Sequence, residues 1–226
     1  MRTRVKICCI ASPKEAIAAI AAGADALGLV SVMPSGGNDI PDAMIAEIAA
    51  LAPPPVATVL LTAETNAEAI SAHIRATNPT AVQIVAHIEP TESARLARLE
   101  PHVRRIQAIH VTGQDALDFI DVYSPHVHAF LLDSGRPGEK IPVLGGTGRT
   151  HNWAVSSRFV QESTRPVFLA GGLTAENVGD AIRQVQPFGL DLCSGVRTNG
   201  QLDAAKLATF MMAVRRAEWA QASLRT

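Results

Sequence analysis

The sequence predicts an α/β fold, built as a single (β/α)8 (TIM) barrel that spans residues 1–226. Three observations carry the expectation. Short β-rich runs alternate with longer Ala-rich stretches along the whole chain, the pattern made by parallel strands joined through helices. Hydrophobic residues reach 47% while aromatics are only 4%. The apolar mass is therefore Ala, Val, Leu and Ile, as where helices cover a parallel sheet. No shift in composition marks a boundary between domains, and 226 residues are enough for one sizeable core. A doubly wound open sheet has the same alternation and is the competing architecture.

The first strand is expected at residues 5–8, inside VKICCI. A helix from Pro13 to Ala22 follows, with Ile17, Ile20 and Ala21 on one face. The next strands are expected at 26–30 and 57–61, the second entered through the stiff turn Pro53-Pro54-Pro55. Further strands are expected at 81–85, 106–111, 129–132, 167–170 and 190–193. Leu207, Phe210, Met211 and Val214 form the i, i+3, i+4, i+7 stripe of a closing helix. The connection after the sixth strand, residues 134–150, is long and rich in Gly and Pro, as functional or disordered loops are.

The net charge of −1 argues against nucleic acid or an anionic membrane as partner. Glu15 and Asp25 interrupt the most hydrophobic early stretch, so it is not a membrane span. Met1-Arg2-Thr3-Arg4 leads directly into the first strand with no signal-peptide apolar region, which points to a cytoplasmic protein. Cys8, Cys9 and Cys193 are then expected to be reduced thiols. Their odd number and the strained geometry of a bridge between neighbours argue against a structural disulfide. His87, His110, His126 and His128 make no ligand-like set with clustered carboxylates, so no metal is expected.

Chemistry in such a barrel sits at the C-terminal ends of the strands. That filter selects Cys8, Asp133, Gly171-Gly172 and Ser194-Gly195. Backbone N–H groups at glycine turns hold phosphate well, and the loops after strands seven and eight are where these barrels place it. A side chain at Gly195 is expected to block that approach. Thr174 is a candidate N-cap of the following helix, with Asn177 placed to reach back. Strand alternation predicts that Cys8 and Cys9 point in different directions, one toward chemistry and one toward packing.

VKICCI, LLDSG, GGTGRTHNW, LAGGLTAENV and DLCSGV occur in the order seen in phosphoribosylanthranilate isomerases, and the chain resembles that family over nearly its whole length. The resemblance implies a (β/α)8 barrel and an Amadori rearrangement of an N-(5′-phosphoribosyl) amine to a 1-amino-1-deoxyribulose 5-phosphate. It implies no cofactor and no metal, a small phosphorylated substrate as partner, and a monomer or homodimer. It assigns Cys8 as general base and Asp133 as general acid, with Cys9 where the family normally has Gly. Lys6, Asn38, Gln83 and Asp191 are the further substrate-binding candidates, and Lys6 is also a positive charge on the strand face of Cys8.

Some positions depart from the family pattern. Asn38 stands where the family places a basic residue for the anthranilate carboxylate, and no Arg or Lys lies between Lys14 and Arg75. Val85 replaces a histidine, His151-Asn152-Trp153 replaces FDW, and Arg197 replaces a glutamate. Arg136, Lys140 and Arg197 are the cations that could stand in. Two alternatives stay beside the isomerase reading: a related aldose–ketose isomerase acting on another phosphorylated amine, and a non-catalytic sugar-phosphate-binding barrel.

Overall fold

Eight parallel strands close on themselves in chain order: β1 (Arg4–Ile7), β2 (Ala26–Val30), β3 (Ala57–Thr62), β4 (Ala81–Ile84), β5 (Arg104–His110), β6 (Ala129–Asp133), β7 (Val167–Leu169) and β8 (Gly189–Leu192). The barrel is sealed by β1 on β8, in a register that runs from Arg4 opposite Gly189 to Ile7 opposite Leu192. The computed structural model describes residues 2–34, 39–135 and 150–223. Asn38, Arg136 and Lys140 lie outside the described residues, as does most of the connection at 134–150.

Helices α1 (Pro13–Ala22), α2 (Asp42–Leu51), α3 (Ala67–Thr77), α4 (Pro90–Leu99), α5 (Phe119–Tyr123), α6 (Trp153–Glu162), α7 (Val178–Val185) and α8 (Ala204–Ser223) surround the strands. The closed barrel excludes the open doubly wound sheet. No helix among the described residues is long and apolar enough to cross a membrane.

Local chemistry explains the helix starts. Ser12 caps α1 by accepting from the Glu15 N–H at 3.3 Å, and Pro13 occupies the first turn, where its missing N–H costs nothing. Asn152 caps α6 by accepting from the Ala154 N–H at 3.0 Å.

The four-residue stripe of α8 is buried as the periodicity predicts. The face expected of α1 is not the one used. Ile17 is 56% exposed, while Ala16 and Ala19 are buried and Ile20 packs half-buried beside them.

Alternation along the strands divides the core in two. Val5, Ile7, Leu27, Leu29, Ile84, Ile109 and Leu132 face the helices. Cys8, Ala26, Val30, Val85, Ala108 and Leu131 fill the barrel interior. The interior set is small, and that leaves room for polar side chains inside the wall.

Candidate functional site

The interior polar groups begin on β1. Lys6 and Asp191 are partners in the β1–β8 register, and Lys6 Nζ lies 2.9 Å from Asp191 Oδ1 with both side chains almost fully buried. Burial works against the Lys6 ammonium, but Asp191 and then Cys8 outweigh it and raise its pKa. Burial raises the Asp191 carboxyl above the usual range, against the pull of Lys6. We read the pair as ionic, because Asp191 is the largest influence holding the proton on Lys6.

One residue beyond β1, the Cys8 N–H donates to the Leu192 carbonyl at 2.8 Å, so the ladder places Cys8 at the mouth end of the wall. Its thiol occupies space beside Gly28 of β2, and Lys6 Nζ borders the same space.

Cys9 does not obey strand alternation. Its φ is 62°, in the left-handed region, and its side chain joins the same interior cluster as Cys8. The expectation that one thiol faces chemistry and the other faces packing is therefore corrected. A non-glycine residue in this conformation costs about 1–2 kcal/mol, so surrounding contacts must hold it there. Arg197 supplies one by donating to the Cys9 carbonyl. The same guanidinium donates to Glu15 Oε2 at 3.0 Å and to the Gly200 carbonyl at 2.7 Å. Glu15 in turn accepts from the N–H groups of Ala11 at 3.0 Å and Leu202 at 2.8 Å. This network ties the turn after β1 to the short hairpin of β9 (Arg197–Thr198) and β10 (Gln201–Leu202). The Arg197 side chain is only 7% exposed, and both of its terminal nitrogens are engaged. It is not a free cation for a substrate carboxylate.

The turns after β7 and β8 lie against each other. Gly171 and Gly172 have φ of 84° and 61°. Asn177 binds this turn twice, accepting from the Thr174 N–H and donating to the Gly172 carbonyl, each at 2.9 Å. It reaches back as expected, but α7 begins at Val178, with Asn177 rather than Thr174 at its N-cap. After β8 comes a 3₁₀ turn, Ser194–Val196. A Cβ at Gly195 would lie 2.1 Å from the Leu173 carbonyl oxygen. Glycine is needed there first because the two turns touch. A bulky residue at 195 would separate them before it met any ligand.

Asp133 ends β6 on the far side of the mouth, half-buried, and its Oδ1 accepts from the Ser134 N–H at 2.7 Å. Its charge acts on Asp191 and on His151, whose pKa burial lowers against that pull. His110 ends β5 directly opposite Asp133 in the register. Its Nε2 donates to the Val85 carbonyl at 2.9 Å, while its buried Nδ1 has no hydrogen-bond partner among the described residues. Gln83 of β4 is buried, with Oε1 likewise unpartnered. Interior polar atoms without partners are uncommon and invite a ligand or water as explanation.

The sequence model of N-(5′-phosphoribosyl)anthranilate (PRA) isomerase matches residues 5–213. The N-(5′-phosphoribosyl)anthranilate isomerase 2 of Methanosarcina mazei is 36% identical over 211 residues, covering 92% of each chain. The chain belongs to the phosphoribosylanthranilate isomerase family. Among solved structures, the phosphoribosyl anthranilate isomerase from Thermus thermophilus superposes with a TM-score of 0.81 at 26% identity, covering 95% of this chain and 99% of that one. Another isomerase of the family, in complex with reduced 1-(o-carboxyphenylamino)-1-deoxyribulose 5-phosphate, superposes with a TM-score of 0.76 at 27% identity over the same shares.

Within this isomerase barrel, the site candidates that fall on described residues all lie on the strands or at their C-terminal ends. Lys6 and Asp191 bind each other rather than standing open in the mouth. Reading the sequence did not single out Gly28 or the unpartnered nitrogen of His110. Alternation from Ile106 and Ala108 would have placed His110 on the inner face. The Glu15–Arg197 pair had a visible signal as well: a charge reversal after SGV requires a new partner.

Proposed function

We propose that this chain converts N-(5′-phosphoribosyl)anthranilate to 1-(o-carboxyphenylamino)-1-deoxyribulose 5-phosphate, with Cys8 as base and Asp133 as acid. The observation that carries the assignment is their placement at the mouth ends of β1 and β6, beside the paired glycine turns of β7 and β8. The phosphate sits on the backbone of Gly171-Gly172 and Ser194-Gly195. Protonated Asp133 gives its proton to the ribose ring oxygen as the ring opens to a Schiff base. The Cys8 thiolate then removes the C2′ proton, and the enolamine tautomerises to the ketone.

Lys6 Nζ is the counter-charge beside Cys8, held in place by Asp191. His110 Nδ1 and Gln83 Oε1 accept hydrogen bonds from the N–H and O–H groups of the substrate, which gives each its missing partner. Three unpaired thiols fit a reducing compartment, and we place the enzyme in the cytoplasm.

The test is a steady-state assay on phosphoribosylanthranilate. Wild type is expected to reach a kcat/KM of about 10⁴ M⁻¹s⁻¹ or more, and Asn38→Arg to bring little gain. Cys8→Ala and Asp133→Asn should each lower kcat by about 10² or more. Near-normal turnover in either variant removes that residue from the mechanism. A wild type that binds the product analogue without turning over the substrate would leave only a sugar-phosphate-binding barrel.

A further inference from the structure

All three cysteines of the chain meet at one point of the barrel mouth. The left-handed turn at Cys9 directs its thiol inward, into the buried cluster that holds Cys8 and against which Cys193 packs. Cys193 follows β8 directly, one register position beyond the Ile7–Leu192 pair, and is half-buried. The Arg197 guanidinium grips the Cys9 carbonyl and lies close enough to Cys193 for its charge to act on that sulfur. The catalytic base assigned above needs neither Cys9 nor Cys193. A glycine would satisfy the backbone at position 9 without strain. A half-buried thiol beside a cation, as Cys193 is beside Arg197, is the setting in which cysteine is reactive.

We propose that Cys9 and Cys193 form a redox-active thiol pair, which a peroxide converts to a disulfide that pins the turn after β1 to the turn after β8. The two thiols are differentiated for these roles. Cys193 is half-buried beside Arg197, whereas Cys9 is buried. The neighbouring Cys9, and then Arg197, lower the pKa of Cys193, while Cys193 and Cys8 raise that of Cys9. Cys193, the accessible thiol, is therefore the attacking thiolate and Cys9 keeps its proton as the resolving thiol.

In the first step Cys193 sulfur attacks a peroxide oxygen and the O–O bond breaks. The leaving oxygen takes up a proton as water or alcohol, and Cys193 becomes a sulfenic acid. In the second step Cys9 sulfur attacks Cys193 sulfur, the S–O bond breaks, and the Cys9 proton leaves with the hydroxide as water. Two thiols lose two electrons, and the peroxide gains them. The product joins the residue after the base to the residue before the phosphate turn, so turnover stops until a dithiol reduces the bond. Only that effect on turnover rests on the isomerase assignment. The bond itself does not.

The experiment uses the full reduced chain, exposed to hydrogen peroxide, alkylated and digested with trypsin. Cleavage leaves Cys8 and Cys9 together in residues 7–14 and Cys193 in residues 184–197. The expected product is these two peptides joined and lighter by two hydrogens, lost on treatment with dithiothreitol. The cross-link should persist in Cys8→Ala and vanish in Cys9→Gly and in Cys193→Ser. No cross-link in wild type, or one that survives in Cys9→Gly, overturns the proposal. Cross-linked wild type should lose at least tenfold in turnover and regain it on reduction. Full turnover in the cross-linked protein overturns the shut-off.

Discussion

Gly28 leaves open the space that the Cys8 thiol fills: a Cβ at position 28 would lie 2.8 Å from Cys8 Sγ, 3.0 Å from Cys8 Cα and 3.0 Å from Lys6 Nζ. A methyl group there must displace the Cys8 thiol, the Lys6 ammonium, or the strand that carries both. Overpacking of this kind costs roughly 1–3 kcal/mol, and each kcal/mol lowers Tm by about 2–4 °C in a chain of this size. A displacement of the reacting group by ~1 Å can cost about 10² in rate. Gly28→Ala is thus expected to lose more in kcat than in stability. Thermal melts beside steady-state kinetics check it. Wild-type kcat with a lowered Tm would mean that the wall yields and the thiol does not.

The Lys6–Asp191 pair separates stability from chemistry. Removing one partner leaves an uncompensated buried charge, which costs about 3–5 kcal/mol. Asp191→Leu alone should therefore be severely destabilised. Lys6→Met with Asp191→Leu replaces both charges by apolar groups, and such replacements are often neutral or stabilising. The double variant is expected to melt near wild type yet keep a depressed kcat, because Cys8 has lost its ammonium neighbour. Recovery of kcat together with Tm would show that the pair serves only the fold.

Glu15 makes the junction of the two terminal turns sensitive to acid. Burial opposes its charge, but Arg197, followed by the N–H groups of Leu202 and Ala11, prevails and holds its pKa below the usual carboxylate range. A carboxylate depressed in the folded state contributes stability that is complete above its unfolded pKa of about 4.3. That contribution is lost as pH falls through the lower folded value. Glu15→Gln should therefore lower Tm at neutral pH, and the gap to wild type should close in acid. Melting curves of both proteins from pH 7 downward decide it. A gap that stays constant would assign the stabilisation to shape rather than to charge.

The sequence shows the barrel more clearly than the site. Eight strands and the α8 stripe follow from periodicity and turn chemistry, which act over a few residues. Where the backbone leaves its regular path, that reasoning stops. Cys9 was placed by alternation, but β1 ends at Ile7 and a left-handed residue turns the next thiol inward. Period puts Ile17 and Ile20 on one face of α1, but only Ile20 packs against the core, and Ile17 is exposed. Gly195 reads as a ligand-approach glycine until the Leu173 carbonyl is seen against it. Each of these depends on what another part of the chain brings near, and local pattern carries no record of that.

His110 shows how an unsatisfied atom marks a binding contact. Its ring is fixed by donation from Nε2 to the Val85 carbonyl, which leaves Nδ1 an acceptor, buried and without a partner. A buried polar atom in that state costs roughly 1–3 kcal/mol, and a ligand that donates to it recovers part of that cost. Val85, one residue beyond the neighbouring strand β4, stands where the family resemblance places a histidine, and His110 puts an imidazole against its carbonyl. His110→Ala should raise KM for phosphoribosylanthranilate about 2–12-fold, the range of one net hydrogen bond of ~0.5–1.5 kcal/mol, with a smaller change in kcat. His110→Gln supplies an acceptor from a flexible side chain and should restore part of the affinity. Steady-state kinetics with a melting curve for each variant separate the cases. A lowered Tm with KM unchanged would reduce His110 to a structural residue of the β4–β5 wall.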